Sequence, residues 1–140
     1  MVDNCIFCKI IAGEIPSFKI YENDCAFAFL DINPVSPGHV LVVSKKHYAN
    51  LEEINEAELC ELIKAVKKVG LAIKTGLGTA GYNLSVNNDP VAGQIIPHLH
   101  FHLVPRSEGD GLKLWPQRKY GAGEGEAVAE KIKKYLIPNT

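Results

Sequence analysis

Pro97-His98-Leu99-His100-Phe101-His102-Leu103-Val104 alternates histidine with apolar residues. A strand turns successive side chains to opposite faces, so His98, His100 and His102 share one face while Leu99, Phe101 and Leu103 point the other way, toward a core. Neighbouring imidazoles then stand about 6.6 Å apart along the strand. Three histidines in five positions serve stability poorly. One reading is an exposed polar face on which histidine occurs three times. A second is a metal held by the three alone, although this spacing lets only pairs converge on one ion. A third is catalytic: imidazole, with an ordinary pKa of about 6.5, is mostly neutral at pH 7 and can serve as nucleophile, orienter or phosphate donor.

Around this strand the pattern predicts mixed architecture. Leu99–Val104 is expected to be a strand that Pro105 stops, and Tyr82–Asn87 another, with Asn88-Asp89-Pro90 and Gly93 in the loop between. Over Asn55–Thr75, Leu59, Leu62, Ile63, Val66, Val69 and Ile73 recur at helical spacing; Asn55 caps the start, Glu58 follows three residues on, and Gly76 is expected to end it. Val40–Ser44 is a β-branched strand after the Pro37-Gly38 turn, and Lys19–Glu22 with Cys25–Leu30 reads as a hairpin. Cys5–Ile11 predicts a short helix, residues 106–124 a glycine-rich loop, and Glu126–Leu136 a final helix. Strands on both sides of one long helix argue for an α+β fold with an antiparallel sheet.

Composition narrows the class. The chain has 140 residues, 46% hydrophobic, with 15 Lys+Arg against 16 Asp+Glu. That length suits one domain, read as residues 1–140 with a core at 5–106 and an appendage at 107–140, burying roughly 68% of its unfolded surface. A net charge of -1 supplies no global attraction to nucleic acid or to acidic membranes. No run of about 18 apolar residues occurs, and the start lacks a basic segment leading into an apolar run, so a cytoplasmic protein is expected. Its four cysteines then read as ligands or small core residues before disulfides.

The segment His98–Val104, together with CIFCKIIAGEIP, FLDINPVSPGHVLVVSKKH and NNDPVAGQIIPHLHFHLVPR, resembles the histidine triad (HIT) family of nucleotide hydrolases and transferases, most closely its Hint and Hit branches. The likeness covers nearly all of residues 5–106. It implies a five-stranded sheet, a homodimer, and a purine nucleotide, with adenosine favoured, bound across the triad face. It also implies that His100 attacks the α-phosphorus of a nucleotide conjugate and that water hydrolyses the resulting nucleotidyl-histidine. His102 would donate to phosphate oxygens and His98 would support His100. His39 would stand behind the nucleophile and help set its tautomer; its plain alternative is a turn or strand-edge histidine. Asn87, Gly93 and Gln94 match phosphate-binding positions of the family, though Asn87-Asn88-Asp89-Pro90 is also ordinary turn chemistry. Asp31 matches the acid that holds the ribose hydroxyls, and local sequence also reads it as a turn former before Asn33-Pro34. Ile6, Phe7, Ile10, Phe29 and Ile32 would form the base slot. Many Hint-branch members carry a hydroxyl residue on the leaving-group side where this chain has Ile95, which cannot hydrogen-bond, so amine-leaving-group preference does not transfer.

Cys5-Ile6-Phe7-Cys8 has the spacing of one arm of a zinc site. Alternatives are an apolar pair on a helix face or a redox pair, and the βαβ context of a thioredoxin-like motif is missing. The resemblance supplies His47 and His98 as the other two ligands of a structural Zn²⁺ site. Cys25 and Cys60 are expected in the core. Trp115, in the 106–124 loop, reads as a packing anchor in a segment that either covers the site or packs on a partner subunit. Two functional readings emerge: a HIT-type hydrolase resembling nucleoside phosphoramidases and dinucleoside polyphosphate hydrolases, or a zinc-stabilised nucleotide-binding or protein-interaction module without turnover. The complete triad favours the enzyme. Repair of adenylated nucleic-acid ends is disfavoured by the near-neutral charge.

Overall fold

The computed structural model describes residues 2–136; Met1 and residues 137–140, the ends of the expected single domain, lie outside them. The chain divides into two units with the boundary between Asp110 and Gly111. The first holds α1 (Ile6–Ile11), β1 (Lys19–Glu22), β2 (Ala26–Leu30), β3 (Val40–Ser44), α2 (Glu56–Leu77), β4 (Gly81–Val86) and β5 (His100–Arg106). Its five strands form one antiparallel sheet in the order β1-β2-β3-β5-β4. The second holds α3 (Glu124–Lys133), two residues earlier at its start than the periodicity predicts, with Leu136 beyond its end.

Period-two alternation builds both faces of the sheet. Ala26 and Ala28, Val40 and Val42, and Leu99, Phe101 and Leu103 form one core with Leu62, Val66, Val69 and Ile73 of α2. The intervening residues Phe27, Phe29, Leu41 and Val43 pack on the opposite face against Phe7, Cys8 and Ile10 of α1. His100 lies opposite Val43 and His102 opposite Leu41, and cross-strand partners share a face. His100 and His102 therefore stand on the α1 side, and the apolar half of the same strand anchors them to the α2 side.

Helix α2 is set at both ends by local chemistry. Asn55 Oδ1 accepts from the Glu58 N–H at 2.9 Å, one of the backbone donors a helix start leaves unpaired, and Asn55 Nδ2 steadies the Glu58 side chain by donating to Oε2 at 3.1 Å. At the far end, Gly78 and not Gly76 takes the left-handed conformation, with φ +65°, so the helix runs to Leu77. Gly70 is required by packing: a Cβ there would collide with the Tyr82 ring of β4. Cys60 is exposed and Cys25 half-buried, against the core placement expected for both. Cys60 lies about 200° around the helix from Leu62, hence on the solvent side of the buried stripe.

Strand β5 also runs past its expected stop. Pro105 pairs with Tyr82, and the strand ends at Arg106. Its β3 partner stops at Val40, opposite Leu103. Beyond that point β5 has a neighbour on one side only, a position where proline's missing N–H is tolerated.

Candidate active site

Each histidine of the triad is held in one tautomer by a different partner. His100 Nδ1 donates to the carbonyl of His98 at 2.7 Å. With the proton on Nδ1, the Nε2 lone pair of neutral His100 is left for chemistry. His39 Nδ1 accepts from the Val35 N–H at 3.1 Å, which leaves its proton on Nε2. That N–H donates to His102 Nδ1 at 3.0 Å, so His102 carries its own proton on Nε2. His102 Nε2 is buried and has no hydrogen-bond partner among the described residues. The His100 and His102 rings lie 4.9 Å apart. Two adjacent imidazoles thus offer opposite functions, a lone pair on one and an N–H on the other.

Burial disfavours the charged form of these rings. It lowers His102 to about 4, helped by the neighbouring His100 and His39 and opposed by Asp31. His100 is lowered by burial, with its hydrogen bond to the His98 carbonyl and the Asp31 carboxylate pulling the other way. His39 is lowered by burial against an upward pull from Asp31. His39 therefore acts on His102 and not, as the resemblance implied, behind His100. The tautomer of His100 is set by a backbone carbonyl, and His98 supports it through that carbonyl while its ring is engaged elsewhere.

A cavity of about 410 Å³ opens beside His100. Ile6, Phe7, Ile10, Phe29 and Ile32, all expected in a base slot, line it, as do Asp31 and Gly93. Phe7 meets the His100 ring edge-on with centroids 5.1 Å apart. Asp31 serves as turn former and lining residue together: Oδ1 accepts from the Asn33 N–H at 2.8 Å, and Oδ2 lies 3.8 Å from His39 Nε2. One carboxylate oxygen thus holds the turn and the other faces the histidines.

The loop before β5 is stapled to residues 49–52. Asn88 Oδ1 accepts from the Leu51 N–H at 2.9 Å, and Asn88 Nδ2 donates to Glu52. The buried Gln94 amide donates to Ala49 O at 2.6 Å and Ile96 O at 3.2 Å and accepts from the Asp89 N–H at 2.8 Å. This corrects the expectation for Gln94: its side chain shapes the loop and its donors are engaged there. Gly93 has φ +96°, a backbone state that glycine adopts at no steric cost. Asn87 is half-buried beside it, with Nδ2 3.5 Å from Gly93 O.

The remaining histidines join the cysteines. Cys5 and Cys8 are the N-cap and third residue of α1. Cys5 Sγ lies 3.4 Å and Cys8 Sγ 3.7 Å from His98 Nδ1, and Cys8 Sγ lies 3.5 Å from His47 Nδ1. His98 Nε2 donates to Ser44 O at 2.7 Å, which turns its Nδ1 lone pair toward the sulfurs. These sulfur–nitrogen spacings are close to the ~3.5 Å edge of a tetrahedral Cys₂His₂ zinc site. The cluster, its four ligand atoms all within 4.8 Å of one another, therefore permits a metal.

Known proteins are similar to this chain along most of its length. The HIT domain pattern matches residues 12–109. The chain belongs to the HIT family. Among HIT relatives it is 56% identical over 130 residues to an uncharacterised HIT-like protein of Methanocaldococcus jannaschii, covering 93% of this chain and 97% of that one. It is 40% identical over 139 residues to the adenosine 5′-monophosphoramidase of Candida albicans, covering 95% and 91%. The fold superposes on a crystal structure of a HIT family member from Bacillus subtilis with a TM-score of 0.89, at 38% identity over 98% and 100% of the two chains. A zinc-bound HIT family structure from Mycobacterium smegmatis gives a TM-score of 0.76 at 29% identity, over 95% and 98%.

Within this HIT chain, the residues that sequence reading missed act through backbone. The Val35 N–H, the Ser44 carbonyl and the Ala49 carbonyl hold His39, His98 and Gln94. Main-chain groups carry no residue-type signal. Leu41, which lines the cavity, was missed as well, and period-two alternation along β3 is the signal that could have found it.

Proposed function

We propose that this protein is a nucleotide hydrolase that cleaves at the α-phosphorus of adenosine or other purine nucleotide conjugates through a covalent intermediate on His100. The observation that carries the reading is a pair of adjacent imidazoles, rings 4.9 Å apart, in which His100 lines the cavity with its Nε2 lone pair uncommitted and His102 carries its proton on Nε2. In the first step His100 Nε2 attacks phosphorus, a P–N bond forms, and the bond to the leaving group breaks; a departing amine takes up a proton from solvent. Water then attacks phosphorus and gives up a proton to solvent as the P–O bond forms, the P–N(His100) bond breaks with its electron pair returning to Nε2, and the nucleoside monophosphate leaves. His102 donates its Nε2–H to a phosphoryl oxygen through both steps, which stabilises the charge that grows there. Asp31 Oδ2, the oxygen not engaged in the Asn33 turn, accepts from ribose hydroxyls, and the apolar slot takes the base. Two steps replace one difficult displacement. Relatives named adenosine 5′-monophosphoramidase and adenylylsulfatase support this class of reaction.

In the same reading Cys5, Cys8, His47 and His98 hold a structural Zn²⁺, which supplies a four-ligand cross-link between α1 and the start of β5. The zinc-bound relative and the fit of the donor set support this. The homodimer belongs to the reading as well: β4 is an outer strand of the sheet with Leu84 exposed, and sedimentation equilibrium tests it.

The deciding experiment incubates wild type and His100→Ala with an adenosine phosphoramidate. Wild type is expected to release adenosine monophosphate and, on rapid acid quench, to carry a nucleotidyl group on the peptide containing His100 by mass spectrometry. His100→Ala is expected to do neither while still binding adenosine monophosphate. Full turnover by the variant refutes the mechanism.

A further inference from the structure

The loop from Asp31 to His39 joins β2 to β3 and carries two residues of the site, one at each end. Its base is fixed by the sheet. Strands β2 and β3 stay paired up to Leu30 and Val40, and the Asp31 N–H donates to the His39 carbonyl at 2.9 Å. Its tip lacks apolar cover: Asn33, Pro34 and Pro37 are exposed, and Val35 is 55% exposed. Yet the Val35 N–H, at that tip, is the group that fixes the tautomer of His39.

The next residue anchors the tip. The Ser36 hydroxyl donates to the Pro105 carbonyl at 2.7 Å, on the stretch of β5 that β3 no longer covers. The Ser36 carbonyl accepts from the His39 N–H at 3.1 Å. Pro105 stands three residues after His102 on the same strand. These contacts close a ring. His102 leads along β5 to Pro105, Pro105 to Ser36, Ser36 to Val35, Val35 to His39, and the His39 Nε2–H returns to His102 Nδ1. Both the donor that sets His39 and the ring that His39 orients are thus referred to one strand. Without the Ser36 anchor the exposed tip is free to move as surface loops do. An imidazole that loses its partner takes either tautomer, and only the Nε2–H form of His39 donates to His102.

We propose that Ser36 is a positioning residue for the reaction: by clamping the β2–β3 loop to β5, it holds the Val35 N–H against His39 and so keeps the His102 Nε2–H in place. This rests on the reading of His102 as the donor to a phosphoryl oxygen. The effect falls on turnover, because Asp31, the residue assigned to the ribose, sits at the base of the loop where the sheet holds it. A tether that served stability alone would leave kcat of the folded protein unchanged.

The test measures kcat and KM of the full chain on an adenosine phosphoramidate for wild type, Ser36→Ala, Ser36→Thr, His39→Ala and the double variant Ser36→Ala, His39→Ala, with folding checked by circular dichroism. Ser36→Ala is expected to lower kcat about tenfold, the lower end of the loss when an outer partner of a functional histidine is removed, with KM within about twofold. Ser36→Thr keeps the hydroxyl, and a cavity of about 300 Å³ that Ser36 lines leaves room for the added methyl; it is expected to recover most of the loss. In the His39→Ala background the Ser36→Ala change is expected to cost less than about twofold, since residues that act through one another are not additive. A folded Ser36→Ala with kcat within about twofold of wild type, or an about tenfold loss added in full to that of His39→Ala, overturns the proposal while leaving the hydrolase reading intact. A loss in Ser36→Thr as large as that in Ser36→Ala does the same. A wild type without turnover overturns both.

Discussion

His39 accepts the Val35 N–H on Nδ1 and so donates from Nε2, and that single choice orients His102. The relay makes His39 a positioning residue, and its removal frees His102 to exchange tautomers. We expect His39→Ala to lower kcat about 10- to 100-fold, the usual loss when an outer partner of a functional histidine is removed, with KM for the nucleotide changed far less. His39→Gln, whose amide can still donate, should recover part of the loss; equal loss in both variants would argue against the relay. The same relay sets a pH window. Protonating His102 places a proton on Nδ1, against the His39 N–H. With His102 held at about 4 by burial and by its histidine neighbours, the share of kcat that depends on its Nε2–H should persist from pH 7 to about pH 5 and be lost toward pH 4. Stability carries the same sign. The unfolded chain, with an ordinary histidine pKa of about 6.5, binds more protons than the folded one between about pH 6.5 and 4, so His102 contributes a loss of stability as pH falls through that window and none above it. Urea midpoints at pH 7.5, 5.5 and 4.5 check this, and a midpoint that rises on acidification contradicts it.

The loop between β4 and β5 works as one element because Gln94 and Asn88 tie it to residues 49–52. Truncating Gln94 takes the partner from the Asp89 N–H and from the carbonyl of half-buried Ala49, while the Ile96 carbonyl keeps the His98 N–H. We expect Gln94→Leu to cost about 1–3 kcal/mol and to raise KM for nucleotide conjugates through a misplaced Gly93, read from urea melts and initial rates; a stable variant with unchanged KM would return Gln94 to a bystander. This element also marks where sequence reading stops. Alternation along His98–Val104 was enough to place Leu99, Phe101 and Leu103 under α2 and His100 and His102 on the other face, because pleat geometry is local. The cavity residues Ile6, Phe7, Ile10, Phe29 and Ile32 were legible only through family likeness, since an apolar side chain carries no mark of core or slot. The partner of Gln94, 45 positions away at Ala49, and the end of β5 beyond Pro105 depend on which strand stops where, and neither is written in residue type. Cys60 was misread because one extra apolar residue near a helical stripe can fall on either side of its edge.

At the scale of the molecule, the Cys5, Cys8, His47 and His98 cluster joins segments far apart in sequence: the contacts span 93 positions from Cys5 to His98 and 39 from Cys8 to His47. A four-ligand ion there acts as a cross-link, and closing loops of that length by a disulfide is worth about 3–5 kcal/mol in the chain-entropy picture. The ion would also bind the folded chain and stabilise it by mass action. Its effect on chemistry should be much smaller. His100 takes its tautomer from the His98 main-chain carbonyl, and that carbonyl lies in a segment also held by the Leu99 N–H donating to Tyr48 O at 2.7 Å and the His98 N–H donating to Ile96 O at 2.8 Å. The double variant Cys5→Ser, Cys8→Ser should therefore contain no zinc by metal analysis and melt roughly 10 °C below the zinc-loaded wild type. At 25 °C it should still hydrolyse an adenosine phosphoramidate within about tenfold of wild type, the lower end of what an outer support is worth. Unchanged melting would remove the ion from the stability argument. A collapse of kcat comparable to that of His100→Ala, in a variant shown to be folded, would instead make the ion part of the reaction and leave the carbonyl of His98 insufficient to hold the nucleophile.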